Sequence, residues 1–268
     1  MRLARSVTQA IPWVPTAAWL PSNVYFSEPQ TTPWDLNFSL FGIPVRVSPW
    51  FWLGSAIFGF GMASHDIKLL FIWEVAVLIS ILLHEMGHAF MMRRFGEDPR
   101  VVLTFMGGLA IGGGGRSTSE QVMVSAAGPA AQLFLAAFCV AAVRASGYDY
   151  PAQVPFWNNA WFNLTGNDVN FLPYQNLNFF LAVMLLINVF WALVNLVPVW
   201  PLDGGQIVRA VMAAWNRDGA RKSLVVSAIA GAAVAIYGFK EEQPFMGMMF
   251  AALAFDSFQT YQGARGRW

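Results

Sequence analysis

Charged residues are scarce in this sequence. Asp, Glu, Lys and Arg together make up 12% of its 268 residues, whereas 56% of the residues are hydrophobic. The mean hydropathy of +0.48 is too high for an ordinary soluble domain. The sequence therefore predicts a membrane protein in contact with the lipid bilayer. The net charge of +1 gives no indication of a nucleic-acid partner.

Cysteine and histidine are nearly absent as well. The single cysteine, Cys139, lies in an apolar run, so an internal disulfide is excluded and a packing role is expected. The chain has three histidines. Two of them stand four residues apart, which makes them the first candidates for a site.

Six apolar stretches have the length of membrane helices, roughly 15 to 25 residues. They cover residues 49–63, 69–92, 120–143, 177–196, 223–239 and 244–261. Short strands, with β-branched and aromatic residues punctuated by glycine and proline, are predicted near 36–47 and 101–111. We expect an α-helical polytopic membrane protein with about six transmembrane helices and short membrane-associated β-strands.

The chain divides into two parts by composition. Residues 1–35 are rich in Pro, Ser and Thr and have no sustained hydrophobic period, which predicts an irregular N-terminal arm. Residues 36–268 are expected to form a single domain.

Positive charges predict the orientation in the membrane. Six spans with both termini in the cytoplasm would place every Lys and Arg on the inside except Lys68, Arg144 and Lys240. Cytoplasmic loops carry an excess of these residues. We therefore predict an N-in, C-in protein of a bacterial inner membrane, with the C-terminal end of the second apolar stretch facing the cytoplasm.

The motif HEMGH, His84 to His88, lies in a run from 75 to 92 in which no other residue ionises. On a helix, His84 and His88 project from one face and can bind one metal ion, while Glu85 can reach a water on that metal. Ionisable residues inside membrane helices are rare and usually functional. The alternative is that they are buried polar residues with hydrogen-bond partners. The third histidine, His65, is interpreted as a solvated loop residue.

A catalytic zinc site usually has three protein ligands and an open fourth position, so one ligand is still missing. Asp203, in the segment PVWPLDGG, is the candidate. Pro198 and Pro201 stop the preceding helix, and Gly204 permits backbone conformations that other residues resist. Irregular backbone at membrane depth is tolerated where it lines a polar cavity, so we expect Asp203 to point into one. The alternative is a tight surface turn.

The two motifs together resemble those of the site-2 protease family of intramembrane zinc metalloproteases, H-E-x-x-H and N-x-x-P-x-x-P-x-D-G. Both patterns are complete here, the second between Asn195 and Gly204. The resemblance implies one Zn²⁺ per chain, with His84, His88 and Asp203 as its ligands. It also implies that Glu85 is the general base and that Asn195 lies near the substrate.

The expected function follows from the resemblance. It is hydrolysis of peptide bonds in or near transmembrane segments of membrane-protein substrates, as in regulated intramembrane proteolysis. We expect neither the PDZ nor the CBS domains that many relatives carry, and therefore no nucleotide. The glycine run at 112–115 is followed by Arg116 rather than by a phosphate-loop lysine. Gln132, where many relatives have asparagine, is assigned no role.

Two other functions stay open. A polytopic metal-ion transporter would also place His and Asp inside the membrane, although transport does not need a glutamate beside the first ligand. A catalytically silent homologue would keep the fold without the reaction. For Asn195 the alternative role is to satisfy carbonyl groups of its own helix. The strands could offer a sheet edge to an extended substrate.

Overall fold

A computed structural model of the protein describes residues 30–63, 66–105, 107–150 and 170–263. Four strands form within these ranges: β1 (Leu36–Leu40), β2 (Ile43–Val47), β3 (Arg100–Thr104) and β4 (Gly107–Ile111). The helices are α1 (Pro49–Met62), α2 (Ile67–Arg94), α3 (Thr118–Ala145), α4 (Gln175–Leu196), α5 (Asp203–Trp215), α6 (Gly219–Lys240) and α7 (Pro244–Gly263). Most of the N-terminal arm, residues 1–29, and His65 lie outside the described residues, and the division at residue 36 stays a prediction.

The strands form one sheet in the order β1-β2-β3-β4. β1 and β2 are an antiparallel hairpin whose turn residues Phe41 and Gly42 have positive φ, β2 and β3 are parallel, and β3 and β4 are antiparallel. The two central strands are largely buried, and their side chains join the core formed by α1, α2 and α4. The strands predicted near 36–47 and 101–111 are thereby confirmed, and among the described strands β4 lies at an edge of the sheet.

A helix forms at each of the six apolar stretches, but six membrane spans are not confirmed. Four helices are long and apolar enough to cross a membrane: α2, α3, α6 and residues Gln175–Asn195 of α4. α1 has 14 residues, so it is about 21 Å long against a hydrocarbon core of about 30 Å. α7 is longer, but its second half carries Asp256, Ser257 and Thr260 and is less apolar.

The helix boundaries next to the site have local causes. Ser117 caps α3: its hydroxyl accepts from the Glu120 N–H at 3.3 Å, and the Glu120 carboxylate accepts from the Ser117 N–H at 2.7 Å. α4 ends at Leu196, just before Pro198. The irregular segment is shorter than expected, because a new helix, α5, begins at Asp203 itself. An acidic residue in the first turn is favourable there, since the helix dipole is positive at that end.

Candidate metal centre

The two histidines of α2 face α3 across a very close helix contact. A Cβ atom on Gly87 would lie 2.6 Å from the carbonyl oxygen of Ala127. A Cβ atom on Gly128 would lie 2.6 Å from His88 Cε1 and 2.9 Å from His84 Nε2. Glycine at these two positions therefore lets the helices approach until both imidazole rings lie against the backbone of α3.

Each imidazole is oriented through its Nδ1 atom. His88 Nδ1 lies 2.7 Å from the carbonyl oxygen of Val124, and His84 Nδ1 lies 2.8 Å from Gln132 Oε1. A carbonyl oxygen only accepts hydrogen bonds, so His88 carries its proton on Nδ1. His84 does the same when the Gln132 amide presents its oxygen. The lone pairs on both Nε2 atoms are then free to bind a metal.

Asp203 completes the cluster from the first turn of α5. Its Oδ2 lies 3.2 Å from His84 Nε2, and its Oδ1 lies 3.4 Å from His88 Nε2. The two Nε2 atoms are 3.0 Å apart. All three side chains are buried, and Asp203 Oδ2 is a buried oxygen with no hydrogen-bond partner. Three electron-pair donors thus converge on one point in the interior of the protein.

This donor set fits zinc. Two neutral imidazole nitrogens whose lone pairs face each other repel unless a cation lies between them, and the orphaned Asp203 oxygen lacks the same partner. Zinc ligands at about 2.0–2.1 Å in a tetrahedron are about 3.3 Å apart, which matches separations of 3.0, 3.2 and 3.4 Å. Two imidazoles and one carboxylate also leave a fourth position open, as in catalytic zinc sites.

Glu85 lies between the histidines and the edge strand. Its side chain is 5% exposed, and a Cβ atom on Gly108 of β4 would lie 2.6 Å from its Oε1. The backbone of Ala110 forms a hydrogen bond with the same carboxylate. Only glycine at position 108 leaves room for the carboxylate at this place, so β4 and α2 together fix where Glu85 can act.

Two glycines let α5 carry Asp203 to the histidines. A Cβ atom on Gly204 would lie 2.6 Å from the carbonyl oxygen of Val197, and one on Gly205 would lie 2.5 Å from the Trp200 nitrogen. The first turn of α5 therefore packs directly on the backbone that leads into it. Gln206 adds a hydrogen bond of 3.1 Å from its Nε2 to the carbonyl oxygen of Pro201.

Asn195 is buried, and the structure gives its amide a local partner. Its Nδ2 donates to the carbonyl oxygen of Trp191 on the same helix at 2.9 Å. Among the described hydrogen bonds, none joins Asn195 to a histidine of the cluster or to Asp203. Gln132, in contrast, was assigned no role from the sequence yet contacts His84 directly. The signal that could have found it is a lone amide within a long apolar stretch.

We expect Gly128→Ala to displace the histidines and weaken metal binding. The added methyl group would overlap His88 and press on His84 Nε2, and such overpacking costs about 1–3 kcal/mol. Zinc content and thermal unfolding in detergent measure the two effects. Gly61→Ala is the matched control, because a Cβ atom there meets no atom within 4 Å. Unchanged zinc content in Gly128→Ala would show that the rings do not lie against this glycine.

Comparison with known proteins gives the family. Residues 73–237, more than half of the chain, match the family model of Peptidase family M50. The zinc metalloprotease MJ0392 of Methanocaldococcus jannaschii is 26% identical over 204 residues, which are 74% of this chain and 51% of that protein. Rip3 of Mycobacterium tuberculosis, which carries a zinc metalloprotease name, is 35% identical over 148 residues, 54% of this chain and 31% of Rip3. The chain spans about half of these relatives or less.

A solved structure has the same fold. The Site-2 Protease from Methanocaldococcus jannaschii superposes with a TM-score of 0.53 at 19% identity, covering 85% of this chain and 95% of that one. The family match, the zinc metalloprotease relatives and the His84, His88 and Asp203 group together indicate zinc as the metal. This chain is a membrane protein that belongs to peptidase family M50, the site-2 protease family of zinc metalloproteases.

Proposed function

We propose that this protein is a zinc endopeptidase that hydrolyses peptide bonds in or near transmembrane segments of membrane-protein substrates. The observation that carries the proposal is a buried group of two histidines and one aspartate, with both histidines and the adjacent Glu85 on a helix apolar enough to span a membrane. A site at this depth is accessible to substrates that themselves enter the bilayer. Regulated intramembrane proteolysis is the process that uses such a reaction.

In this proposal His84, His88 and Asp203 hold one zinc ion per chain. Zinc bound there would lower the pKa of a water molecule and polarise the carbonyl of the scissile bond. Glu85, at the edge of the cluster, accepts the proton of the attacking water on its carboxylate and then gives it to the leaving amine. Peptide-bond cleavage then needs no covalent intermediate with the protein.

Asn195 has a secondary place in the proposal. Its Nδ2 donates one N–H to the carbonyl oxygen of Trp191, and the second N–H of the same amide is the donor that we assign to substrate or to the developing oxyanion. The local bond to Trp191 supports the alternative role within the helix. In the proposal, Asn195 contacts the substrate only in the complex.

The edge strand β4 is the proposed docking site for the unwound substrate. A peptide bond in a helix is shielded by its own hydrogen bonds, so it must be extended before attack. Within the described part of the chain no further strand pairs with β4, and its residues Gly108 and Ala110 adjoin the Glu85 carboxylate. A substrate that pairs with β4 as an added strand would bring its backbone next to this carboxylate.

We expect Leu109→Lys in β4 to lower cleavage several-fold while the zinc content stays unchanged, because the charge hinders pairing of an apolar substrate at this edge. Cleavage of a single-span substrate and zinc content are measured on the same preparation. Phe38→Lys is the control on β1, the strand at the opposite edge of the sheet, where Phe38 is exposed. Loss of cleavage in the β1 variant alone would contradict docking on β4.

The proposed orientation is N-in, C-in in a bacterial inner membrane, with the metal centre towards the cytoplasmic side. The predicted excess of Lys and Arg on the cytoplasmic side supports it. Cysteine-accessibility labelling from the two sides of sealed vesicles would test the orientation. In this orientation a cysteine introduced near Gly96, after α2, reacts from the cytoplasmic side.

The experiment that tests the function uses wild-type protein reconstituted in liposomes with a panel of single-span substrates. We expect cleavage that stops when zinc is removed and returns when zinc is added, with product termini inside or near the apolar segment. A metal transporter would instead carry zinc across the vesicle membrane and leave every substrate intact. A silent homologue would bind zinc and do neither.

A further inference from the structure

Three residues of α3 at four-residue spacing contact the two histidines of α2. The carbonyl oxygen of Val124 accepts a hydrogen bond from His88, and the side-chain oxygen of Gln132 accepts one from His84. Gly128 leaves room for both rings. The two helices run antiparallel, so Val124 lies beside His88 and Gln132 lies beside His84. Gly128 lies between them and faces both rings. One of the two orienting acceptors is backbone, and the other, Gln132, is a side chain that can be exchanged.

The Gln132 amide has one favourable orientation. Its Nε2 lies 3.3 Å from the carbonyl oxygen of Ser80, one turn before His84 on α2. Because that carbonyl only accepts, the NH₂ group must face it, and Oε1 must then face His84 Nδ1. A flipped amide would put two oxygens together. The Ser80 carbonyl thereby determines, through Gln132, that His84 is protonated on Nδ1.

A second amide holds this part of α2 from the other side. Asn188 of α4 donates from Nδ2 to the Ser80 hydroxyl at 2.8 Å and to the carbonyl oxygen of Met184 at 2.8 Å. Gln132, Ser80 and Asn188 are completely buried. A buried network of this kind excludes water and restricts the rotamers of its members. Gln132 of α3 therefore orients the His84 ring, and Asn188 of α4 bonds Ser80, the residue whose carbonyl orients Gln132.

We propose that Gln132 is a positioning residue for the metal centre: it holds His84 with Nδ1 protonated and Nε2 turned towards the zinc ion. The inference rests on the proposed function for the identity of the ion. Gln132 touches the metal ligand and not the reacting atoms. Loss of such an outer partner typically lowers metal affinity about 10–100-fold.

Two substitutions separate orientation from packing. Gln132→Met keeps the length and most of the volume of the side chain but removes the acceptor for His84. Gln132→Glu keeps an acceptor for His84 Nδ1, although its second oxygen faces the Ser80 carbonyl unfavourably. The predicted order of zinc affinity is therefore wild type, then Gln132→Glu, then Gln132→Met, with Gln132→Met about 10–100-fold weaker than wild type.

The experiment measures zinc affinity by chelator competition on full-length protein in detergent, together with the visible absorption spectrum after cobalt substitution. The cobalt spectrum reports the geometry of the ligands, which a loss of stability alone does not change. Asn178→Leu is the control for the loss of a partly buried amide, because Asn178 donates to the carbonyl oxygen of Leu172, away from the metal centre. It should leave both measurements as in wild type.

Wild-type zinc affinity and an unchanged cobalt spectrum in Gln132→Met would overturn the inference. So would equal losses in Gln132→Met and Gln132→Glu, since the retained acceptor would then have no effect. The proposed function fails in a different way. If the zinc affinities follow the predicted order but the zinc-loaded wild-type protein cleaves no substrate, the protease proposal is refuted and the role of Gln132 is retained.

Discussion

Replacing Glu85 with glutamine is expected to abolish measurable peptide cleavage while the protein keeps one zinc ion per chain. The substitution changes no ligand of the cluster and hardly changes the volume of the side chain. It removes the carboxylate that accepts and returns the proton, a contribution worth about 10²–10⁴ in rate for general acid–base catalysis. The side chain is buried against Gly108, so bulk water cannot easily take over its task.

The measurement is the single-turnover cleavage rate of a single-span substrate, with zinc determined on the same sample. Glu74→Gln is the matched control, because Glu74 is a carboxylate of the same helix three turns earlier, away from the cluster. It should cleave at the wild-type rate. Wild-type cleavage by Glu85→Gln would contradict the assignment of the base, and zinc loss in Glu85→Gln would show that Glu85 is a ligand.

Replacing Asp203 with alanine is expected to remove both zinc and activity. Asp203 supplies the only anionic ligand of the proposed set, and its Oδ2 has no hydrogen-bond partner among the described residues. Two imidazoles alone bind zinc weakly, so the loss of affinity should exceed the 10–100-fold that removal of an outer partner typically costs. At the zinc concentration that fully activates the wild-type protein, cleavage by the Asp203→Ala variant should be at background.

Chelator competition measures this loss, and Asp256→Asn in α7 is the control for removal of a carboxylate from a helix of the bundle. Its zinc affinity should match that of wild type. An Asp203→Ala variant with wild-type zinc affinity would mean that the third ligand of the metal is a different residue.

The convergence of the cluster could be predicted from the sequence because each part carries a local signal. The histidine spacing places both rings on one helix face, and Pro198 and Pro201 end α4 before Asp203. A third ligand was expected because two histidines leave a zinc site incomplete, and the structure brings Asp203 to within 3.2–3.4 Å of the histidine nitrogens. Local chemistry and a required coordination number together sufficed to predict that these residues converge.

Other features depend on tertiary contacts and could not be predicted. Nothing near Asp203 indicated that a helix would begin there, since Gly204 and Gly205 favour turns by themselves and are needed here for close packing. The contact between Gln132 and His84 depends on which faces of α2 and α3 meet. The number of spans stays a prediction, because a helix forms at each of the six apolar stretches but only four helices of the described residues are long and apolar enough to cross a membrane.

The most direct test of the central claim is a zinc titration of the metal-depleted wild-type protein, followed by the cleavage rate of a single-span substrate. The account predicts that the rate rises in proportion to added zinc and reaches its maximum at one ion per chain. Cleavage by the metal-free protein, or a fully zinc-loaded protein that cleaves no membrane-spanning substrate, would contradict it.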